Sequence, residues 1–214
     1  MRKALEIGGF VAAAVLIVFG VVAIAMGVNG RSTVQDSLKA EQIVGSADMS
    51  PAAIKDEAMK AGLPASIALP TVDISNKPID TGARARAFAT YIRIHSLEAT
   101  GGLTYSQLPR FSTADGKGTS DAALALKDEK GQPVSNPLRD TMITATALET
   151  ALNTSYMAEQ LALFGIVVGF ALLLSGIGFA VLAVGGTLRN PDPAIKIFDR
   201  KAAKAAGATP VPTV

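Results

Sequence analysis

Two stretches of the chain are apolar without interruption. Ile7 to Gly30 reads IGGFVAAAVLIVFGVVAIAMGVNG, 24 residues with no charge, and Leu161 to Leu188 reads LALFGIVVGFALLLSGIGFAVLAVGGTL, 28 more. A helix needs roughly 20 such residues to cross about 30 Å of hydrocarbon. Residues 7–30 and 161–188 are therefore predicted transmembrane helices. The fold class that follows is mainly α, with two transmembrane helices enclosing a small, mostly helical extracytoplasmic domain over 31–160.

Glycine inside a water-soluble helix costs about 1 kcal/mol against alanine, yet both runs contain it repeatedly. In bilayers small residues let helix backbones approach one another. Gly165 and Gly169 form a G-x-x-x-G pair, and Gly176 follows two turns later near the same face. In the first run Gly9 with Ala13, and Gly20 with Gly27, make a weaker stripe. These faces are expected to pack against each other or against a partner.

Between the runs the pattern is mixed. Residues after Arg31 read either as a short extension of the first helix, with Val34, Leu38 and Glu41 at helical spacing, or as an irregular stretch leading to a strand at EQIVGS. The piece MSPAAIKDEAMKAGLP predicts a short helix capped by Ser50, with Pro51 at its first position and Gly62 and Pro64 stopping it. Ile67, Leu69, Val72 and Ile74 are strand-like, but Pro70 and Pro78 reduce that segment to an edge strand or extended loop. Asp80 or Thr81 then caps a helix whose packed stripe is predicted to be Phe88, Tyr91, Ile92, His95 and Ala99, with Arg84, Arg86 and Arg93 on the wetter side. The Gly101 and Gly102 pair ends it, and Leu103, Tyr105 and Leu108 are placed to fold back onto it.

Residues 111–137 contain the turn signals ADGKG and EKGQP and read as an exposed, variable loop, with ALALK as a candidate short strand. Helical spacing resumes at Met142, Ala145, Leu148, Leu152 and Tyr156, and no glycine or proline separates it from Leu161. A single helix over 139–160 running into the membrane is the economical expectation.

Charge adds an orientation. Residues 1–6 carry Arg2 and Lys3 against Glu6, and the tail 189–214 carries five basic and two acidic residues, whereas 31–160 carries 13 basic and 15 acidic ones. Basic flanks tend to stay cytoplasmic, so both termini are expected inside and the central domain outside, in the plasma membrane. Arg31 opposes this locally and is outweighed by the two ends. The tail is expected to be a basic cytoplasmic segment, partly disordered. A rival for the first run is a cleaved signal peptide, since AIA at 23–25 fits a small-x-small cleavage rule, but the run is longer than a signal core.

Candidate chemistry is sparse. There is no cysteine, which excludes disulfides, thiolate metal sites and thiol nucleophiles. Neither a G-x-S-x-G nor a phosphate-binding glycine loop occurs. His95 is the single histidine, with Glu98 one turn on. It reads as a half-buried side chain at the edge of an aromatic stripe in preference to a ligand or base. Carboxylates completing a metal site would have to come from distant segments such as Asp73, Asp80 or Asp115. Arg84, Arg86, Arg93 and Arg110 are candidates for contact with an anion or lipid headgroup, against the plainer reading of a solvated helix face. Neither apolar run holds an ionisable residue, which disfavours a pump or secondary transporter.

The segments HSLEATGGLTYSQLPR and TMITATALETALNTSYMAEQL resemble those of a group of small actinobacterial two-helix membrane proteins, many labelled aromatic ring-opening dioxygenase. The resemblance covers mainly residues 82–110 and 138–188. It implies the same plan of helix, extracytoplasmic segment and helix, and carries over no activity. Extradiol cleavage needs a metal held typically by two histidines and a carboxylate, which one histidine cannot supply. Purified protein is thus expected to hold no stoichiometric iron, and no cofactor is expected.

Together these readings describe a non-enzymatic integral membrane protein acting as an interaction, scaffolding or accessory subunit at the cell envelope. Its expected partners are membrane lipids and either a second copy or a larger membrane protein, with no nucleic acid. The alternatives are an envelope ligand or stress sensor with an anion- or lipid-binding ectodomain, and an envelope enzyme dependent on His95.

Overall fold

The structure, a computed structural model, describes residues 2–185. The tail 189–214 and the last three residues of the 161–188 span lie outside the described residues. Four helices follow in order, α1 (Arg2–Ala40), α2 (Pro51–Lys60), α3 (Gly82–Ala99) and α4 (Pro137–Val184). The described residues divide into two compact units, one of residues 2–27 with 164–185 and one of Val28–Leu163.

In the first unit α1 and α4 pack antiparallel. Both carry apolar stretches long enough to cross a membrane, and only 17% of the most apolar 18-residue window of either helix is buried within the protein. The buried positions are small, Gly9, Ala13, Gly20 and Gly27 on α1 and Gly169, Gly176 and Ala183 on α4, and all but Gly9 recur every seven residues. A seven-residue repeat keeps one narrow seam facing a partner helix. Phe19, Met26, Phe164, Phe170 and Leu174 point outward, each more than half exposed.

The second unit holds the helical core. α1 continues past its apolar run as helix to Ala40, so the helical extension is the alternative realised at 31–40. Leu38 there is buried, and Gln42 turns the chain with a φ of 52°. Ser50 caps α2 by accepting from the Ala53 amide at 3.3 Å, and Gly62 ends it at a φ of 64°. Thr81, not Asp80, caps α3, accepting from the Arg84 amide at 3.4 Å. Asp80 is occupied by the Arg84 guanidinium at 2.7 Å. Asn136 caps α4 by accepting from the Leu138 amide at 3.1 Å.

The packed stripe on α3 differs from the predicted one. Ala85, Ala87, Ala89, Tyr91, Ile94 and Leu97 are buried, whereas Phe88, Ile92 and His95 are half-buried and Ala99 is exposed. Ala85, Ala89 and Ser96 share one side of the helix and Ala87, Tyr91 and Ile94 the opposite side, so α3 is covered from two directions. A helix buried around its girth lacks the single stripe that periodicity detects. Its core partners include Leu38, Ile54, Ile74, Ile79 and Leu152, drawn from α1, α2, the 63–80 connection and α4.

No strand forms among the described residues. The EQIVGS and ALALK candidates reduce to isolated bridges, Val44 with Pro78 and Lys127 with Pro133. Residues 123–125 of the latter segment are turn and bend. Prolines at 70 and 78 and turns at Gly116, Gly118 and Gly131, all at positive φ, leave no run long enough for a ladder. The 63–80 connection is instead held by side chains. The Tyr91 hydroxyl donates to the Val72 carbonyl at 3.1 Å, and burial, with the Asp73 charge, pushes that phenol up to about 12. Of the three residues expected to fold back after α3, Leu108 is buried, while Leu103 and Tyr105 stay exposed, Tyr105 beneath the Arg139 guanidinium at 3.9 Å.

Candidate functional site

Three arrangements stand out, and the first is the helix seam. A Cβ added at Gly169 would sit 2.8 Å from the Gly20 carbonyl oxygen and 2.7 Å from Cγ1 of Ile24. One at Gly20 would meet the Leu173 amide nitrogen at 2.7 Å, and one at Gly176 the Ile17 nitrogen at 2.9 Å. Gly165 has looser surroundings, with the Ala23 oxygen at 3.8 Å. The predicted small-residue faces therefore pack against each other within this chain.

The second arrangement is centred on Glu159 in α4, which is 4% exposed. Its carboxylate accepts from Arg31 Nε at 2.9 Å, from Gln35 Nε2 at 2.8 Å and from the Gly82 amide at 2.6 Å. Three helices thus meet at one charge. The close approach demands glycine at 82, since a Cβ there would lie 2.9 Å from the Tyr156 Cα. Glu159 was not singled out in the sequence. A signal existed: Arg31 and Glu159 are opposite charges standing just outside the two apolar runs.

The third arrangement gathers around His95. The turn before α2 supplies Asp48, α2 supplies Glu57 and α3 supplies His95 and Glu98. His95 Nε2 lies 3.2 Å from Glu57 Oε2 and 3.6 Å from Asp48 Oδ2. A hydrogen bond from Ser46 holds the Asp48 carboxyl below its usual range. Partial loss of solvent and the adjoining Glu57 charge push Glu98 up. The carboxylates beside His95 are therefore Asp48 and Glu57, not the Asp73, Asp80 or Asp115 considered from sequence. Asp73 bonds to Ser75, Asp80 to Arg84, and Asp115 to Thr113. Periodicity cannot reveal this cluster, because Glu57 and Asp48 stand 38 and more residues before His95 in the chain.

The other side of His95 borders a groove between α3 and α4. Ile92, Ala99, Ala145 and Leu148 make it apolar, and Ser96, Thr141, Thr144 and Asp140 give it polar points, around a volume of about 600 Å³. Deeper along the same helix pair, burial pushes Glu149 up against a lowering from Arg93.

No family model, curated protein or solved structure matches this chain. Its residues alone carry the functional reading.

The four arginines do not converge. Arg84 pairs with Asp80, Arg86 lies 4.7 Å over the Tyr156 ring, and Arg93 contacts the Met142 sulfur at 3.6 Å. Arg110 is exposed on the segment after α3, where its carbonyl accepts from the Asn136 amide at 3.0 Å.

Proposed function

We propose that this chain is a non-enzymatic, two-pass plasma-membrane protein that acts as an interaction, scaffolding or accessory subunit at the cell envelope. Both termini would be cytoplasmic and residues 31–160 extracytoplasmic. The observation that carries the reading is the antiparallel seam of Gly20, Gly169 and Gly176 beneath two helices whose large apolar side chains face outward. Such a pair has its bulky surface free for acyl chains or another membrane helix, while its small faces are already occupied by each other. A second copy or a larger membrane partner would then meet the outer faces, not the glycines. The basic ends support the orientation.

The cysteine-free chain makes the test direct. Asp115→Cys is expected to react with a membrane-impermeant maleimide in intact cells, and Ala206→Cys only after permeabilisation. The reverse pattern, or release of the protein by alkaline carbonate, would remove the membrane placement. Crosslinking in mild detergent at native expression is expected to give a species larger than the monomer; monomer alone would count against a scaffolding role.

A second reading, an envelope sensor, draws on the groove beside His95 and Asp140, which is large enough for a small amphipathic ligand. Binding of such a ligand that is lost when Ala145→Leu fills the groove would favour it.

A further inference from the structure

We propose that Asp48, Glu57 and His95 form a site for one divalent cation of the zinc or manganese kind, clamping α2 and the turn before it onto α3. An acidic patch alone would say little. Here an imidazole nitrogen stands between two carboxylates that come from different elements, and the three donor atoms all lie within 4.8 Å of one another. Nitrogen and oxygen ligands sit about 2.0–2.2 Å from a tetrahedral zinc ion, so roughly 3.3–3.6 Å from each other, close to the 3.2 and 3.6 Å that separate His95 Nε2 from Glu57 Oε2 and Asp48 Oδ2. Small side-chain rotations bring this set into that range.

The charge around the donors is also uncompensated. Asp36, Asp73, Asp80 and Glu159 each pair with a lysine or arginine, but among the described residues neither Asp48 nor Glu57 does, and the His95 imidazole is the basic side chain beside them. Glu98 adds a third carboxylate against Glu57. Like charges held this closely are relieved by a proton or a cation. A mixed nitrogen and oxygen donor set favours zinc or manganese over magnesium, which prefers oxygen alone and keeps its water. Asp48 is half exposed, so an ion reaches the donors directly from solvent.

The test uses the full chain in mild detergent, purified without a polyhistidine tag, stripped with EDTA and titrated with ZnCl2, MnCl2 or MgCl2 at pH 7 by calorimetry. One zinc or manganese ion per chain is expected to bind with a Kd below about 100 µM, at least tenfold tighter than magnesium, and to raise Tm. Asp48→Asn and His95→Ala should each weaken binding tenfold or more, and Asp73→Asn should leave it unchanged. Asp48 is half exposed in a turn, so its variant stays informative even where His95→Ala disturbs packing. No saturable binding of zinc or manganese below 1 mM would overturn the site. So would affinity equal to that of magnesium, which marks diffuse charge screening, or affinity untouched by Asp48→Asn.

Discussion

Arg31 donates through Nε to the Glu159 carboxylate at 2.9 Å, and the two side chains differ sharply in exposure, 47% for Arg31 and 5% for Glu159. The asymmetry decides what each substitution does. Removing Glu159 strands an arginine that water can still solvate, but it also deprives Gln35 and the Gly82 amide of their acceptor. Removing Arg31 leaves a buried carboxylate with two neutral donors.

Glu159→Ala is therefore expected to destabilise the protein by about 2–3 kcal/mol, the scale of losing charge-assisted hydrogen bonds. Glu159→Gln should recover part of this by keeping the carbonyl acceptor. Thermal melts of the two variants in one detergent check the order, and equal losses would show that the bonds contribute little.

At the seam, Gly169→Leu forces a side chain onto the Gly20 carbonyl and is expected to cost about 1–3 kcal/mol or more by overpacking. Gly178 is the control, because nothing lies within 4 Å of a Cβ there, so Gly178→Leu should be tolerated. Thermal melts of both variants in one detergent check this, and an equal loss at the two positions would show that the seam does not exclude a side chain at 169.

The raised Glu98 carboxyl sets a direction for pH dependence. Its folded form holds the proton more tightly than the unfolded chain, so its contribution to stability is full below the ordinary glutamate range and is lost as pH rises through the raised value. Asp48 acts oppositely, stabilising above the ordinary aspartate range and losing that contribution as pH falls through its lowered value. Glu98→Gln should raise Tm at pH 7 in metal-free buffer and remove the loss seen on going up from about pH 4. An unchanged profile would mean that neither lost solvation nor the Glu57 charge holds the Glu98 carboxyl up.

Ile94 has no exposed surface and packs in the main core cluster. Ile94→Ala is expected to cost about 2–5 kcal/mol through lost burial and a residual cavity. Leu124, 71% exposed in the 111–137 loop, should accept alanine with almost no change. Denaturant unfolding followed by circular dichroism separates the two.

The local amino-acid pattern was enough to determine that the helices exist and where most of them start and stop, because caps, stops and apolar length act within a few residues, while the end of α1 at Ala40 was decided by the fold. Ser50, Pro51 and Gly62 bound α2 by chemistry confined to its own ends, and the uncharged length of the two runs defines two apolar helices without reference to anything else. Tertiary structure alone decided which faces are buried and which charges meet. The α3 stripe moved from Ile92 and His95 to Ile94 and Leu97 because other segments cover that helix from two sides. Glu159 joins Arg31 and Gly82, and His95 joins Asp48 and Glu57, across separations that no local period encodes. Those contacts depend on how the chain folds back on itself, where short-range propensity carries no information.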